Sequence, residues 1–398
     1  MENDILFFYG LIEPNDKEAY ILAFHKIMFY IPVESVLMQP GFLKKEQIQE
    51  YVREIKYLKN TPIISTREID TPIFYYKNED LFYGSYKFDL VGNIFFNLIN
   101  YEQFNRNDII RDKYSRIPDS DSNFSEYAFY PYINALLWLM EQSIQDAVKE
   151  RKSYFILKKE YWPQAETFAV AFSHNVEKLK KWNFLSIIKT TLSDIFIFYK
   201  VRYIINNIVS KIKFIVTNIE EYWNFDVIED IENIFHIRST FFFGVESQSP
   251  EDIDYTLQED DVKSEIINQI EKNNEVSLLA SSSSYKDDIL QRQKEKLVEL
   301  LKTEKIGIRQ NLLKYDQEIT TGYHNKYDFY YDSSRSFYEQ NGYKNGIGFP
   351  FYNYSINREN TYDQDRKFFK SNCLEIPLTF SDRALMLSKV KLIKFEKA

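Results

Sequence analysis

Residues 167–173 form a short apolar, β-forming run, and Ser173-His174-Asn175-Val176-Glu177 come at its end. A buried strand would deliver these polar groups to its C-terminal mouth, where α/β folds place their chemistry. His174 has a donor that can meet a metal ion or a sugar hydroxyl, or simply hydrogen-bond a neighbour. Arg309 stands in another short strand-like run. Its planar fork can hold a carboxylate or a sugar oxygen with two hydrogen bonds, or form a rim salt bridge with Asp332 or Asp382. Asp332 and Asp382 each follow strand-like runs, as site carboxylates or as turn caps. Tyr331, Phe349 and Phe351 have the flat apolar faces on which sugars stack, although core packing uses the same residues. Ser281 to Ser284 form a polar loop with no His–Asp relay placed to activate a serine nucleophile. The chain has four histidines. Besides His174, His25 lies in the N-terminal part, His236 precedes a strand at the wrong end, and His324 lies in a Tyr-rich stretch.

The elements that must position these groups follow a strand–helix rhythm. Apolar runs predict strands at 239–245, at 275–280 and from Gly307 onward. Helical spacing predicts a long helical stretch from after Glu177 to about 218, and helices over 262–272 and 287–302. Alternation of this kind predicts βα units and a parallel sheet. Residues 246–261 contain seven acids and no Lys or Arg, which predicts a solvated loop. Before residue 150 the pattern is mixed. Residues 20–30 read as a buried run. Helices are predicted at 45–58, 89–101 and 131–148, short β runs at 61–65 and 72–76, and a polar loop at 119–125. The sequence therefore divides into a smaller α/β region at 1–155 and a second region at 160–398.

Several segments in order resemble the polysaccharide deacetylase family, also called carbohydrate esterase family four, in its two-domain bacterial form. FAVAFSHNVE at 168–177 is similar to a FAVCLTHDVD-type motif, and RSTFFF at 238–243 to KSTFFF. EVSLLAS at 275–281 is similar to EIGLHGS, and GIRQNLLKY at 307–315 to GVRQHYLRF. Tyr331-Asp332-Ser333, Gly348 to Phe351, Leu374 to Leu378 and Asp382 continue the series. VGNIFF at 91–96 with Tyr101-Glu102 resembles a helix of the companion domain. The resemblance implies a distorted seven-stranded (β/α) barrel preceded by the smaller α/β domain.

The family's reaction needs a metal-bound water and a carboxylate that takes its proton. By this resemblance, Asn175 occupies the position of the lost base, and an amide accepts no proton at neutral pH. Glu177 keeps the metal-ligand position as a remnant. Leu279 and Asn311 stand where two histidines belong, and the chain reaches Ala398 without the closing histidine motif. No cofactor is then expected, with zinc or another divalent metal required only if the site still works. The expected function is a catalytically degenerate homologue that binds a glycan or a partner enzyme of surface-polysaccharide synthesis or modification. A divergent active deacetylase using His174 and Glu177 is one alternative. A structural interaction module working through the N-terminal region and the acidic loop is the other.

Bulk properties narrow the classes further. At roughly 150 residues per domain, 398 residues suggest two or three domains. The 33 Phe and 31 Tyr, with only 10 Gly, follow the AT-rich codon set and supply ample core. A net charge of −9 disfavours nucleic acid as partner. The single Cys373 excludes an internal disulfide or a Cys-based zinc cluster and suits a reducing compartment. The N-terminus has no basic leader, and charges interrupt the apolar stretch at 184–216. The expectation is a cytoplasmic protein, with 184–216 as a candidate peripheral contact at the inner face of a membrane.

Overall fold

A computed structural model of the chain describes strands within residues 19–86, individual positions from 94 to 137, and most of residues 162–387. Two compact units result: Met1–Thr167 with Leu312–Ala398, and Phe168–Asn311. This division differs from the expected split into 1–155 and 160–398.

The N-terminal strands are β1 (Ala19–Phe24), β2 (Ile27–Pro32), β3 (Thr71–Lys77) and β4 (Asp80–Tyr86). They form an antiparallel sheet in sequence order, with Ala19 opposite Pro32 and Thr71 opposite Tyr86. The apolar run at 20–30 thus becomes a strand pair, and the β run at 72–76 lies within β3. The expected helix at 45–58 and β run at 61–65 lie outside the described residues. Ile94 and Leu98 are helical and fully buried, as the spacing of the 89–101 segment requires.

In the second unit, β5 (Phe172–Val176), β6 (Ser239–Phe243), β7 (Glu275–Ala280) and β8 (Ile308–Gln310) are parallel neighbours in that order. Four helices follow the strands: α1 (Val201–Thr217), α2 (Phe225–Phe235), α3 (Asp260–Glu271) and α4 (Ile289–Leu301). Phe241, Phe243, Leu278, Ala280 and Ile308 are fully buried on one face of the strands, and α3 and α4 pack on β7. Strands buried this way read as near-continuous apolar runs, which is why β6 and β7 are legible in the sequence. The sequence predicts β5 at 167–173, but it begins at Phe172, where its pairing with Ser239 starts. Phe168 and Val170 overhang the start of β6 and are exposed.

The acidic loop is also different from expectation. Asp252, Ile253, Tyr255 and Leu257 are buried, so residues 252–257 fold inward rather than into solvent. The Tyr255 hydroxyl donates to the Val176 carbonyl (2.6 Å) and accepts from the Gly244 N–H (3.0 Å). Burial holds that phenol in its neutral form.

The C-terminal residues of the first unit form β9 (Tyr331–Asp332), β10 (Phe351–Asn357) and β11 (Lys367–Glu375), with α5 (Thr320–Lys326) and α6 (Asp382–Leu387). β11 runs parallel to β9 and antiparallel to β10. These residues are tied to the N-terminal part by hydrogen bonds, which explains the observed division. Tyr343 N–H donates to the Ala128 carbonyl and Ile133 N–H to the Gly346 carbonyl. The buried Asp119 carboxylate accepts the N–H groups of Tyr338 and Glu339, so the loop at 119–125 is a structural anchor. Gly346 has φ +67°, and a Cβ there would meet the Tyr132 ring at 2.1 Å. Only glycine fits that crossing.

The chain is therefore mixed α/β, with β5 to β11 mostly parallel. β5 and β10 remain edges, so the strands do not close into a ring.

Candidate functional site

Alternation along β5 sends Ser173, Asn175 and Glu177 to one face and His174 and Val176 to the other. Register pairing continues the first face through Phe242, Ser277, Leu279 and Arg309. Arg309 is the centre of this face. Its Nη1 donates to Asn175 Oδ1 at 3.0 Å and its Nη2 to Ser173 Oγ at 2.9 Å. The guanidinium lies 4.2 Å from the centroid of the Phe242 ring, a cation–π contact with β6. A side chain from β8 thus reaches β5 across two intervening strands, which makes this face concave. Asn175 Nδ2 in turn donates to Glu177 Oε1 at 3.1 Å. The result is a fixed polar row, Ser173–Arg309–Asn175–Glu177. The arginine is buried and the β5 side chains reach solvent.

His174 is not part of this row. Its Nε2 stands 2.8 Å from Glu232 Oε1 on α2, and its ring lies 4.8 Å from the Phe241 ring. Ser239 Oγ donates to the same Glu232 oxygen. The imidazole therefore belongs to the helix-covered face, held by a neighbour rather than turned toward Glu177.

A second polar cluster caps the strand ends. Asp252 Oδ1 accepts the Ser282 N–H (2.6 Å) and Asn311 Nδ2 (3.1 Å), while Oδ2 accepts the Gln248 N–H (2.9 Å). Burial alone would raise this carboxyl, but the hydrogen bonds outweigh it and hold the pKa below the ordinary Asp value. Asn311 also donates to the Glu251 carbonyl. The serine loop is thus bound down at Ser282 and at Ser284, whose Oγ donates to the Ser281 carbonyl.

Asp332 and Asp382 occupy different surroundings from each other. Asp382 is exposed in the first turn of α6, where its carboxylate accepts the adjacent Arg383 N–H, and the capping side chain is Ser381, whose Oγ accepts the Ala384 N–H (3.1 Å). Asp332 is buried, with Oδ2 3.1 Å from His324 Nδ1 on α5 and Oδ1 bonded by Ser334. Glu375 is fully buried in the same cluster. Its oxygens accept the Arg335 N–H (3.2 Å) and Asn353 Nδ2 (3.4 Å). Burial, and then the charge of Asp332, push its carboxyl well above the usual glutamate range, against the opposing pull of Arg335. Tyr331 and Phe351 are core residues, and Phe349 packs against Trp162 with ring centroids 6.0 Å apart.

The residues do not fit a divalent metal. Of the four positions that the resemblance assigns to base and ligands, Glu177 alone offers a carboxylate, and Asn175 already bonds it. Leu279 has no ligand atom, and Asn311 offers only its amide oxygen Oδ1, a neutral and weak ligand, while its nitrogen donates to Asp252 and Glu251. Among the described residues, no three His, Cys, Asp or Glu side chains stand together as a metal-binding group.

No known protein family, curated protein or solved structure matches the chain. Also among the described residues, no helix is long and apolar enough to cross a membrane.

Sequence reasoning missed Asp252, Tyr255, Arg335 and Glu375. Asp252 and Tyr255 sit within an acid-rich run whose composition points outward. Glu375 reads only as part of an apolar strand motif. The alternation of Ser173, Asn175 and Glu177 was the available signal for the row that Arg309 completes.

Proposed function

We propose that this chain is a polysaccharide-deacetylase-like protein that binds glycan without hydrolysing it. On this reading, β5 to β11 are an opened form of that family's distorted (β/α) barrel. The observation that carries the proposal is the row Ser173–Arg309–Asn175–Glu177 on a concave face at the mouth of parallel strands. Asn175 is held there as an amide, its oxygen taken by Arg309 and its nitrogen by Glu177. A carboxylate acting as base at this position would need a free lone pair and a water to deprotonate. The amide supplies a donor and an acceptor in fixed orientation, which suits sugar hydroxyl and acetamido groups. Arg309 holds the row in place from beneath, and Glu177 adds a charged acceptor at the rim.

Calorimetric titration with N-acetylated and de-N-acetylated oligosaccharides tests the proposal, with acetate release measured in parallel with and without zinc. Saturable binding without acetate release is expected, and Arg309→Lys should weaken it about tenfold or more through loss of the two-pronged geometry. Zinc-dependent acetate release abolished in Glu177→Ala would overturn the proposal in favour of an active hydrolase. Absence of binding at millimolar ligand would overturn it outright.

A further inference from the structure

A polar cavity of about 200 Å³ opens where α2 and α3 end and β6 and β7 begin. The residues that line it all belong to the second unit. It lies on the helix-covered side of the strands, where His174 points, away from the row that Arg309 completes. Part of its wall is already committed. Lys272 pairs with Glu229. Asn274 Oδ1 accepts the Ser239 N–H (3.2 Å), and its Nδ2 donates to Gln269 Oε1 (2.8 Å).

Two opposite charges on the same wall are not committed. The Glu232 side chain is only 9% exposed. Its Oε1 takes both His174 Nε2 and the Ser239 hydroxyl, while Oε2 has no hydrogen-bond partner among the described residues. Arg238 is exposed at the rim. Its Nη1 donates to the Ile237 carbonyl at 2.8 Å, which orients the guanidinium, and among the described residues it makes no ion pair. A buried carboxylate oxygen without a donor and an arginine without an acid would attract one another. Here the cavity keeps them apart. Leaving a buried charged acceptor unmatched is costly, and a ligand that supplies the missing donor offsets that cost.

The charges select the ligand. A simple cation would satisfy Glu232 but meet Arg238 with like charge, and a simple anion would do the reverse. A molecule carrying both charges satisfies both. The C-terminal ends of α2 and α3 add negative potential beside Glu232 and favour an ammonium group there. The volume lies below the about 300–1,000 Å³ of pockets for drug-sized ligands and suits a smaller solute. Asn233 and Asn273 line the same cavity, and their side-chain amides have no hydrogen bonds among the described residues. They offer donors and acceptors to a polar side chain. We propose that this cavity binds a free α-amino acid with a small polar side chain, its ammonium on Glu232 Oε2 and its carboxylate on Arg238. The proposal stands apart from the glycan reading.

The test is calorimetric titration of the full chain with L-serine and with two analogues that each lack one charge. L-Serinamide lacks the carboxylate, and L-glycerate has a hydroxyl in place of the ammonium. L-Serine should saturate the chain with a Kd of about 1 mM or tighter, and each analogue should bind about tenfold or more weakly. Arg238→Met should reduce L-serine to the level of L-serinamide and leave L-serinamide itself no weaker. Glu232→Gln should weaken both about tenfold. Circular dichroism checks folding, because Glu232 also holds His174 and Ser239; should that variant fail to fold, the exposed Arg238→Met carries the test alone. Three outcomes overturn the proposal. One is no binding of L-serine, L-asparagine or L-glutamine at about 10 mM. Another is L-serinamide binding as tightly as L-serine. The third is an unchanged L-serine affinity in folded Arg238→Met.

Discussion

Glu375→Gln should change how the stability of the first unit depends on pH. Glu375 binds its proton more tightly in the folded chain than in the unfolded one, because burial and the charge of Asp332 oppose its ionisation. Folding therefore takes up a proton between the ordinary value of 4.5 and the raised folded value. The contribution is fully present below that ordinary value and is lost as pH rises toward the folded value. Within that window each pH unit costs about 1.4 kcal/mol. From pH 5 to 7 the loss approaches about 2.7 kcal/mol if the folded carboxyl stays protonated throughout. Carboxyls held low, such as Asp252 and Asp112, act oppositely, but only as pH falls below 3.8, outside that range. The amide introduced by Glu375→Gln is neutral at every pH, and its oxygen could still accept the Arg335 N–H.

The assay is urea unfolding read by a thiol-labelling pulse on Cys373, normalised to the unfolded chain at each pH. Cys373 is the single cysteine, is buried, and lies two residues from Glu375 in β11, so its exposure reports this unit and not the other. The wild type should lose stability from pH 5 to 7 with a steeper slope than Glu375→Gln. Equal slopes would refute the reasoning, and would mean that the buried cluster holds Glu375 ionised.

Gly346→Ala should destabilise the same unit by about 2–4 kcal/mol, because the left-handed φ and the Tyr132 ring both reject a Cβ; an unchanged melting temperature would contradict this. Tyr255→Phe leaves the Gly244 N–H and the Val176 carbonyl without their buried partner, and chemical denaturation should show a loss of about 1–3 kcal/mol. Asp252→Asn, whose amide offers one acceptor oxygen in place of two, should cost a similar ~1–3 kcal/mol and loosen the serine loop, read as faster amide exchange at Ser282.

The parallel strands were legible because β6 and β7 are buried enough to need continuous apolar runs. The start of β5 was displaced by five residues because an edge strand begins where its neighbour begins, and that is a tertiary fact. Three of the four residues of the candidate row were legible. Asn175, Glu177 and Arg309 were singled out by type, but Ser173 gained its role only when Arg309 crossed the sheet. His174 shows the converse: adjacency in sequence placed it beside Asn175, while strand alternation sends it to the opposite face. His324 and Asp332 were each noted, yet their 3.1 Å approach joins a helix to a strand and leaves no local trace in the chain.

The Tyr255 hydroxyl works as a pin through the exits of two strands, gripping the last residue of β5 and the residue after β6. Cutting out the acid-rich stretch to ask whether it recruits another protein would pull that pin. A lost interaction in such a truncation would report a frayed β5 rather than a missing epitope. Charge reversals at the exposed Glu251 or Asp260 leave the pin in place and put the same question to an intact scaffold.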